Sequence, residues 1–275
     1  TTTAIGAYPK PGFLHLPDWF SGPEGPDQRD PTAQWPGAMA AMGEQASAIL
    51  ARATRQVIDD QVGCGIDVPT DGEVRRENYI HYHCRHLHGF DFDGVTEKSL
   101  RNGAYSAFLP TVRSPVSLAQ SYAAQDWRFG QGCTSKPLKI TLPGPLTITD
   151  SVVDEHYSDA RAFGVDLATA LNREVLALAD AGCRHIQIDE PLFARKPADA
   201  LAFGLENLER AFHGCPDHVT RTLHICCGYP DRLDNDNYPK ADPGAYAMLA
   251  DALDASTVNA VSIEDAHRPN DLGLL

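Results

Sequence analysis

Three residues toward the end of the chain combine side chains that bind zinc. His224 and Cys226 stand two residues apart in an apolar, β-branched run, and Glu264 ends the next such run. Side chains two residues apart on a strand point to the same face of the sheet. An imidazole, a thiolate and a carboxylate with one open position are typical of catalytic zinc. The pattern therefore predicts a zinc site, and the alternative is a buried histidine beside a small apolar cysteine.

A second group of metal-binding side chains lies within residues 81–88, which carry four histidines and one cysteine. Cysteine- and histidine-rich tracts bind metals in some proteins. On a helix, however, these side chains would spread around the axis and would not meet at one point. We therefore predict a helix or its flanks, rather than one metal site, for His81, His83, His86 and His88.

Acidic residues end two further apolar runs. Asp189 and Glu190 directly precede Pro191, and Glu73 ends the run 66–73. Paired carboxylates at a strand end are suited to holding a substrate amine or to acting as a general base. Aspartate is also a favoured residue at the start of a helix, so a purely structural role for Asp189 is the alternative.

The composition limits the class of protein. The chain has 275 residues with 37 acidic and 23 basic side chains, a formal charge of −14. This charge argues against binding to nucleic acid, which needs clustered Lys and Arg, and equally against an anionic membrane surface. No stretch reaches the roughly 18 apolar residues of a membrane span. Seven irregularly spaced cysteines favour a reduced, cytoplasmic setting.

Six short apolar runs alternate with helical patterns along the chain. Such alternation predicts βα units around a parallel sheet, and in a barrel of this kind the carboxyl ends of the strands carry the site. We expect one catalytic barrel domain over residues 1–275, a (β/α)8 TIM-type barrel with strands 1–6 of 8. The remaining two strands would either lie past residue 275 or be weaker strands inside 89–135. We favour a position past residue 275. The runs cover residues 2–9, 66–73, 138–145, 185–191, 221–228 and 259–265.

Six motifs in this order resemble the catalytic barrel of the cobalamin-independent methionine synthase family. The resemblance extends over essentially the whole chain. In sequence order the motifs are IGAYP (5–9), DGEVRR (71–76), LPGPLT (142–147), IQIDEP (186–191), HIC (224–226) and VSIE (261–264).

The resemblance implies a zinc ion that activates a thiol, with His224, Cys226 and Glu264 as its protein ligands. A fourth ligand, a cysteine, and a proton-donating histidine of the family have no counterpart in the chain, and we expect both past residue 275. Coordination to zinc deprotonates a thiol whose pKa is ordinarily about 8.5. The thiolate then attacks an electrophilic carbon.

The resemblance also implies an amino-acid pocket. Glu73 and Asp189 match the carboxylates that hold the amino group of homocysteine, and the backbone of Ile5, Gly6 and Ala7 matches the loop that receives its carboxylate. Ala7 stands where the family usually has serine, so one hydroxyl contact is lost. The family's folate-stacking tryptophan has no counterpart near residues 150–151.

These features predict a zinc-dependent methyltransferase that acts on the thiol of homocysteine to form methionine. Its partners would be a small-molecule thiol and a methyl or alkyl donor. One alternative is alkyl transfer to another thiol, such as coenzyme M. Two others need no metal: a lyase similar to uroporphyrinogen decarboxylase, and a barrel that only binds a small molecule. The zinc content of the purified protein separates the two thiol transferases from the lyase and the binding barrel.

Overall fold

A sheet of four parallel strands lies at the centre of the computed structural model, which describes residues 1–16, 31–100, 105–227, 240–266 and 269–270. The strands in chain order are β1 (Leu87–Leu100), β2 (Tyr105–Leu118), β3 (Lys139–Pro143), β4 (Val153–Asp154), β5 (His185–Asp189), β6 (Thr220–Ile225) and β7 (Ala260–Ile263). The helices are α1 (Pro31–Met42), α2 (Ala46–Gly63), α3 (Tyr79–Cys84), α4 (Ala123–Gln131), α5 (Pro145–Asp150), α6 (Ala160–Ala181), α7 (Pro191–Arg195), α8 (Pro197–Asp199), α9 (Leu205–Phe212) and α10 (Ala245–Asp254).

The central sheet has the strand order β3-β5-β6-β7. Two parallel bridges, Thr3 with Val68 and Thr70 with Lys139, add the first two apolar runs on the β3 side. The six runs therefore lie side by side in chain order, as the sequence predicts for an α/β fold. Neither of the first two runs is a continuous strand, and in the second run Gln61 of α2 bonds both the N–H and the carbonyl of Thr70.

The sheet is not closed into a barrel over the described residues. Among the described residues, one side of the sheet ends with residues 1–8, and the other ends with β7, which pairs only with β6. Val261 of β7 is 37% exposed. The described residues thus form an open sheet of parallel segments and not the predicted closed TIM-type barrel, since closure requires strands between these two edges.

Strands also form within residues 89–135, but they do not complete the barrel. β1 and β2 pair antiparallel, and β4 joins β2 in a separate three-stranded sheet. Val112 and Val116 of β2 pack with Phe163 and Leu167 of α6. This hairpin was not predicted, and its apolar contacts with α6 explain why it leaves the central sheet.

Alternating side chains give the central sheet one apolar face and one polar face. Ile140, Ile186 and Leu223 are fully buried in the main hydrophobic core together with Leu171 of α6. On the other face, toward the carboxyl ends of the strands, lie side chains that are polar yet buried: Lys139, Thr141, Gln187, Asp189 and His224. The long helix α6, Ala160–Ala181, packs on the apolar face. Among the described residues, no helix is long and apolar enough to cross a bilayer.

Glu190 holds the short helix α5 against the end of β5. Its carboxylate is fully buried and accepts hydrogen bonds from the N–H groups of Leu146 and Thr147 and from the Thr147 hydroxyl, at 2.7–2.9 Å. A carboxylate at a helix N-terminus satisfies N–H groups that lack partners within the helix. Gly144 makes this approach possible, since a Cβ there would overlap the Glu190 side chain.

The histidines of the tract 81–88 lie in separate environments: His81 and His83 are buried in α3, His86 is half-buried just after it, and His88 is exposed at the start of β1. His81 lies between the Thr32 hydroxyl and the Ser151 carbonyl, and His83 bonds the Tyr122 hydroxyl at 3.1 Å. The His86 ring stacks on that of Tyr122, with centroids 4.3 Å apart. As predicted, these histidines lie on a helix or its flanks and do not surround one point.

Gly144→Ala should destabilise the protein by about 2 kcal/mol or more, because overpacking a buried contact forces side chains and backbone to shift. Gly63→Ala is the matched control, since a Cβ at Gly63 meets nothing within 4 Å. Urea denaturation of both variants measures the effect. Equal stability of the two variants would show that the contact between Gly144 and Glu190 is not tight.

Acid should destabilise the protein through its buried histidines. Burial lowers the pKa of His83 from 6.5 to about 3. Below pH 6.5 the unfolded chain binds a proton at His83 that the folded chain does not, so the free energy of unfolding falls by about 1.4 kcal/mol per pH unit toward pH 4 for this group. His83→Phe should reduce that slope, whereas His218→Phe, at an exposed position, should leave it unchanged. Denaturation at several pH values measures both slopes.

Candidate active site

The carboxyl ends of the central strands bring several predicted site residues into one layer. Asp189 of β5 pairs in register with His224 of β6, which in turn pairs with Ser262 of β7. All three positions belong to the polar face of the sheet. Asp189 and His224 are 6% and 3% exposed, so neighbouring polar groups must satisfy them.

Glu73 enters the same region from the second run with an unusual backbone. Its φ is 54°, a left-handed value that is uncommon for a residue other than glycine. Its N–H donates to Asp71 Oδ1, and its side chain is 7% exposed. Oε1 accepts a hydrogen bond from the Thr141 hydroxyl at 2.7 Å and lies 3.5 Å from the Arg76 guanidinium. Such strain persists where surrounding contacts enforce it, as they often do in functional sites.

Residues 5–7 pass directly over this carboxylate. The Gly6 carbonyl accepts a hydrogen bond from the Thr70 hydroxyl at 2.6 Å. A Cβ on Gly6 would lie 2.6 Å from Glu73 Oε1, so the close approach requires glycine. The Ile5 carbonyl accepts from Gln187 Nε2 at 2.9 Å. The structure thus brings residues 5–7, Glu73 and the β5 end together.

Asp189 is held by a side chain from its own strand. Gln187 Nε2 donates to Asp189 Oδ1 at 2.6 Å, and the Gln187 oxygen accepts from Lys139 Nζ at 2.6 Å. Burial, followed by the nearby charge of Glu73, raises the pKa of Asp189 to about 8. Burial also lowers the pKa of Lys139 to about 8. The alternative role of Asp189 as a helix cap finds no support, because no side-chain cap bond is present at the start of α7.

Sequence inspection missed Lys139, Thr141 and Gln187 as members of this site. The signal was present: polar residues alternate with apolar ones within both β3 and β5. In a buried parallel strand such alternation is unexpected, because both faces are normally apolar. A period-2 polar pattern at the end of a buried strand therefore marks an interior polar face.

His224 has the environment of a ligand histidine. Its Nδ1 lies 3.0 Å from the Ser262 hydroxyl. Its Nε2 is buried and has no hydrogen-bond partner among the described residues. A second hydrogen bond on the far ring nitrogen is the usual way in which a metal-binding histidine is oriented. Burial, then the charge of Lys139, lowers the pKa of His224 to about 4, which keeps the ring neutral.

The other two predicted zinc ligands lie nearby, Cys226 just after β6 and Glu264 just after β7. β6 ends at Ile225, so the expected alternation does not extend to Cys226. The Glu264 carboxylate lies 2.7 Å from the sulfur of Cys227. Within the described ranges, no three His, Cys, Asp or Glu side chains are arranged to hold a metal ion. The donor types and the orphaned His224 nitrogen fit zinc, whereas the observed Glu264 contact does not.

Comparison with protein families gives one match over most of the chain. Residues 21–207 match the family model described as cobalamin-independent synthase, catalytic domain. The methionine synthase of Saccharolobus solfataricus is 30% identical over 228 residues, which cover 82% of this chain and 62% of that protein. The methionine synthase of Sulfolobus acidocaldarius is 28% identical, with 82% and 61% covered. The chain therefore spans about three fifths of the length of these curated relatives.

Comparison with solved structures points to the same family. The B12-independent methionine synthase of Shewanella sp. W3-18-1, solved in complex with selenomethionine, superposes with a TM-score of 0.82 at 30% identity, covering 98% of this chain and 74% of that one. A Listeria monocytogenes structure at 17% identity and a TM-score of 0.56 supports the fold alone. The chain belongs to the cobalamin-independent methionine synthase family, through that family's catalytic domain.

Proposed function

We propose that this protein transfers a methyl group to the thiol of homocysteine, with zinc as its cofactor. The main support is the pair of buried carboxylates Glu73 and Asp189, which come from different segments of the chain and lie beside the backbone of residues 5–7. Arg76 lies 3.5 Å from Glu73 Oε1, whereas the hydrogen bond to Asp189 Oδ1 comes from the uncharged amide of Gln187. A buried carboxylate is costly without a cation beside it, and a substrate ammonium would supply that cation at Asp189.

The amino-acid part of the substrate would bind between these groups. Glu73 and Asp189 accept the ammonium, and the backbone of residues 5–7 receives the carboxylate. Asp189 is paired in register with His224, so a ligand held by Asp189 lies next to the proposed metal end of the site. The selenomethionine in the Shewanella relative is an amino acid of the same size and shape as the proposed product.

Zinc would be held by His224, Cys226 and Glu264. When bound, it keeps a substrate thiol deprotonated at neutral pH and fixes the position of the sulfur. Ser262 orients the His224 ring so that Nε2 is available, and burial keeps that ring neutral. Glu264 would leave its contact with Cys227 to join this set. A reduced, cytoplasmic setting accords with a cysteine ligand and a thiol substrate.

We further propose that residues 1–275 form one catalytic domain whose sheet closes into a (β/α)8 barrel in the complete protein. The six parallel segments in chain order support this architecture. The exposed face of β7 and the unpaired side of residues 1–8 are the two edges that further strands would join. A small-molecule methyl donor would approach from the open carboxyl ends of the strands.

Asp189→Asn should weaken L-homocysteine binding by roughly 100-fold, because a charge-assisted hydrogen bond is lost and Glu73 alone faces the ammonium. Zinc content should stay at the wild-type level. Calorimetric titration measures binding, and metal analysis of the purified protein measures zinc. Asp180→Asn, on an exposed position of α6, is the control. Binding of coenzyme M in preference to homocysteine, unchanged by Asp189→Asn, would favour the alternative thiol.

Cys226→Ser should lower zinc content and affinity strongly, because an alcohol stays protonated where a thiol ionises on zinc. Cys64→Ser, at an exposed cysteine, is the matched control and should retain the metal. Competition with a chromophoric chelator measures the affinity. Equal zinc affinity in both variants would exclude Cys226 as a ligand.

A further inference from the structure

Three buried side chains form a continuous chain beneath the proposed amino-acid pocket. Lys139 Nζ donates to Gln187 Oε1 at 2.6 Å, and Gln187 Nε2 donates both to Asp189 Oδ1 at 2.6 Å and to the Ile5 carbonyl at 2.9 Å. Lys139 and Gln187 are 3% and 1% exposed. Neither residue has a place in the chemistry described above.

The lysine decides which way the glutamine amide faces. The two ends of a glutamine amide are alike in shape, and only their hydrogen-bond partners distinguish the oxygen from the nitrogen. An ammonium group can only donate, so Lys139 requires the Gln187 oxygen on its side. The Gln187 nitrogen must then face Asp189 and Ile5, and its two N–H groups match the two acceptors that lie there.

The Gln187 amide thereby links Asp189, the proposed ammonium acceptor, to residues 5–7, the proposed carboxylate loop. One N–H fixes Asp189 Oδ1, which leaves the second carboxylate oxygen for another donor. The other N–H fixes the carbonyl of Ile5, at the start of the segment that passes over Glu73. A single side chain thus sets the separation between the proposed ammonium acceptor and the proposed carboxylate loop.

We infer that Lys139 and Gln187 are positioning residues that make the site selective for ligands with an α-amino group, Lys139 acting only through Gln187. This inference rests on the proposed function, because it assigns Asp189 to the amino group of the substrate. The Lys139 ammonium is bonded to the end of the amide that faces away from Asp189, and this bond is the route by which Lys139 would act on the pocket.

Two ligands separate positioning from general stability. L-homocysteine and 4-mercaptobutyrate share the thiol and the carboxylate, and only the former carries the amino group. Lys139→Met and Gln187→Met remove the lysine charge and the amide with little change in volume. Each should reduce the preference for homocysteine, measured as the ratio of calorimetric Kd values, by about tenfold, the usual worth of a hydrogen bond to a charged group.

The double variant tests the order of action. If Lys139 acts through Gln187, the double variant should lose about as much preference as each single variant, about tenfold, and not about 100-fold. The effects of residues in one network are not additive. Lys136→Met is the matched control, since Lys136 bonds the Ile66 carbonyl outside the pocket. Partial unfolding raises the apparent Kd of both ligands by the same factor, so their ratio for a given variant does not depend on its folded fraction.

Distinct results overturn the inference and the proposed function. A wild-type protein that prefers homocysteine, with single variants that keep that preference or lose affinity for both ligands equally, overturns the positioning role alone. Additive losses in the double variant overturn the claim that Lys139 acts through Gln187. A wild-type protein with no preference for the amino-bearing ligand overturns the proposed function and this inference together.

Discussion

The arrangement of the site depends on giving polar partners to four ionisable side chains that are buried beside the carboxyl ends of the central sheet. Glu73, Arg76, Lys139 and Asp189 are all less than 8% exposed. An ion buried without a partner costs several kcal/mol, which is a large fraction of the stability of a domain. The groups are therefore linked to one another: Arg76 bonds Thr141 and lies close to Glu73, and Lys139 reaches Asp189 through an amide.

This constraint explains why the site is preorganised before any ligand binds. Thr141 and Arg76 fix the Glu73 carboxylate, whose left-handed backbone is itself held by an Asp71 side chain. Gly6 must approach within contact distance of the same carboxylate, which links residues 5–7 to the second segment. The positions of these side chains are thus set by a network of short hydrogen bonds.

Asp189 and Glu190, which are adjacent at the end of β5, have different surroundings. Asp189 faces the polar interior, whereas the next residue, Glu190, faces the opposite side and caps α5. Burial raises the pKa of both, to about 8 and about 7. Only Glu190 has backbone N–H partners, which satisfy its carboxylate within the fold. Asp189 is supported by one amide, and its remaining capacity to accept hydrogen bonds is what a ligand ammonium would use.

Much of the fold could be predicted from the sequence, because period and local chemistry are properties of neighbouring residues. The alternation of apolar runs and helices, and the chain-order arrangement of six segments, required only side-chain periodicity. The separate positions of His81 and His83 within α3 followed for the same reason. The motifs indicated Glu73, Asp189 and His224 individually, and the matched family model covers residues 21–207, which include the first two.

What required the tertiary structure depends on contacts between residues distant in sequence. The hairpin of β1 and β2 leaves the central sheet because its apolar side chains pack on α6, about 50 residues later, a contact that no local pattern encodes. In the second run, the side chain of Gln61 bonds the backbone N–H and carbonyl of Thr70. The link from Lys139 to Asp189 depends on β3 and β5 lying side by side. The contact between Glu264 and Cys227 arises just past the ends of β7 and β6. The sequence by itself determined which residues alternate, and the tertiary structure decided which of them meet, because distance along the chain does not fix distance in space.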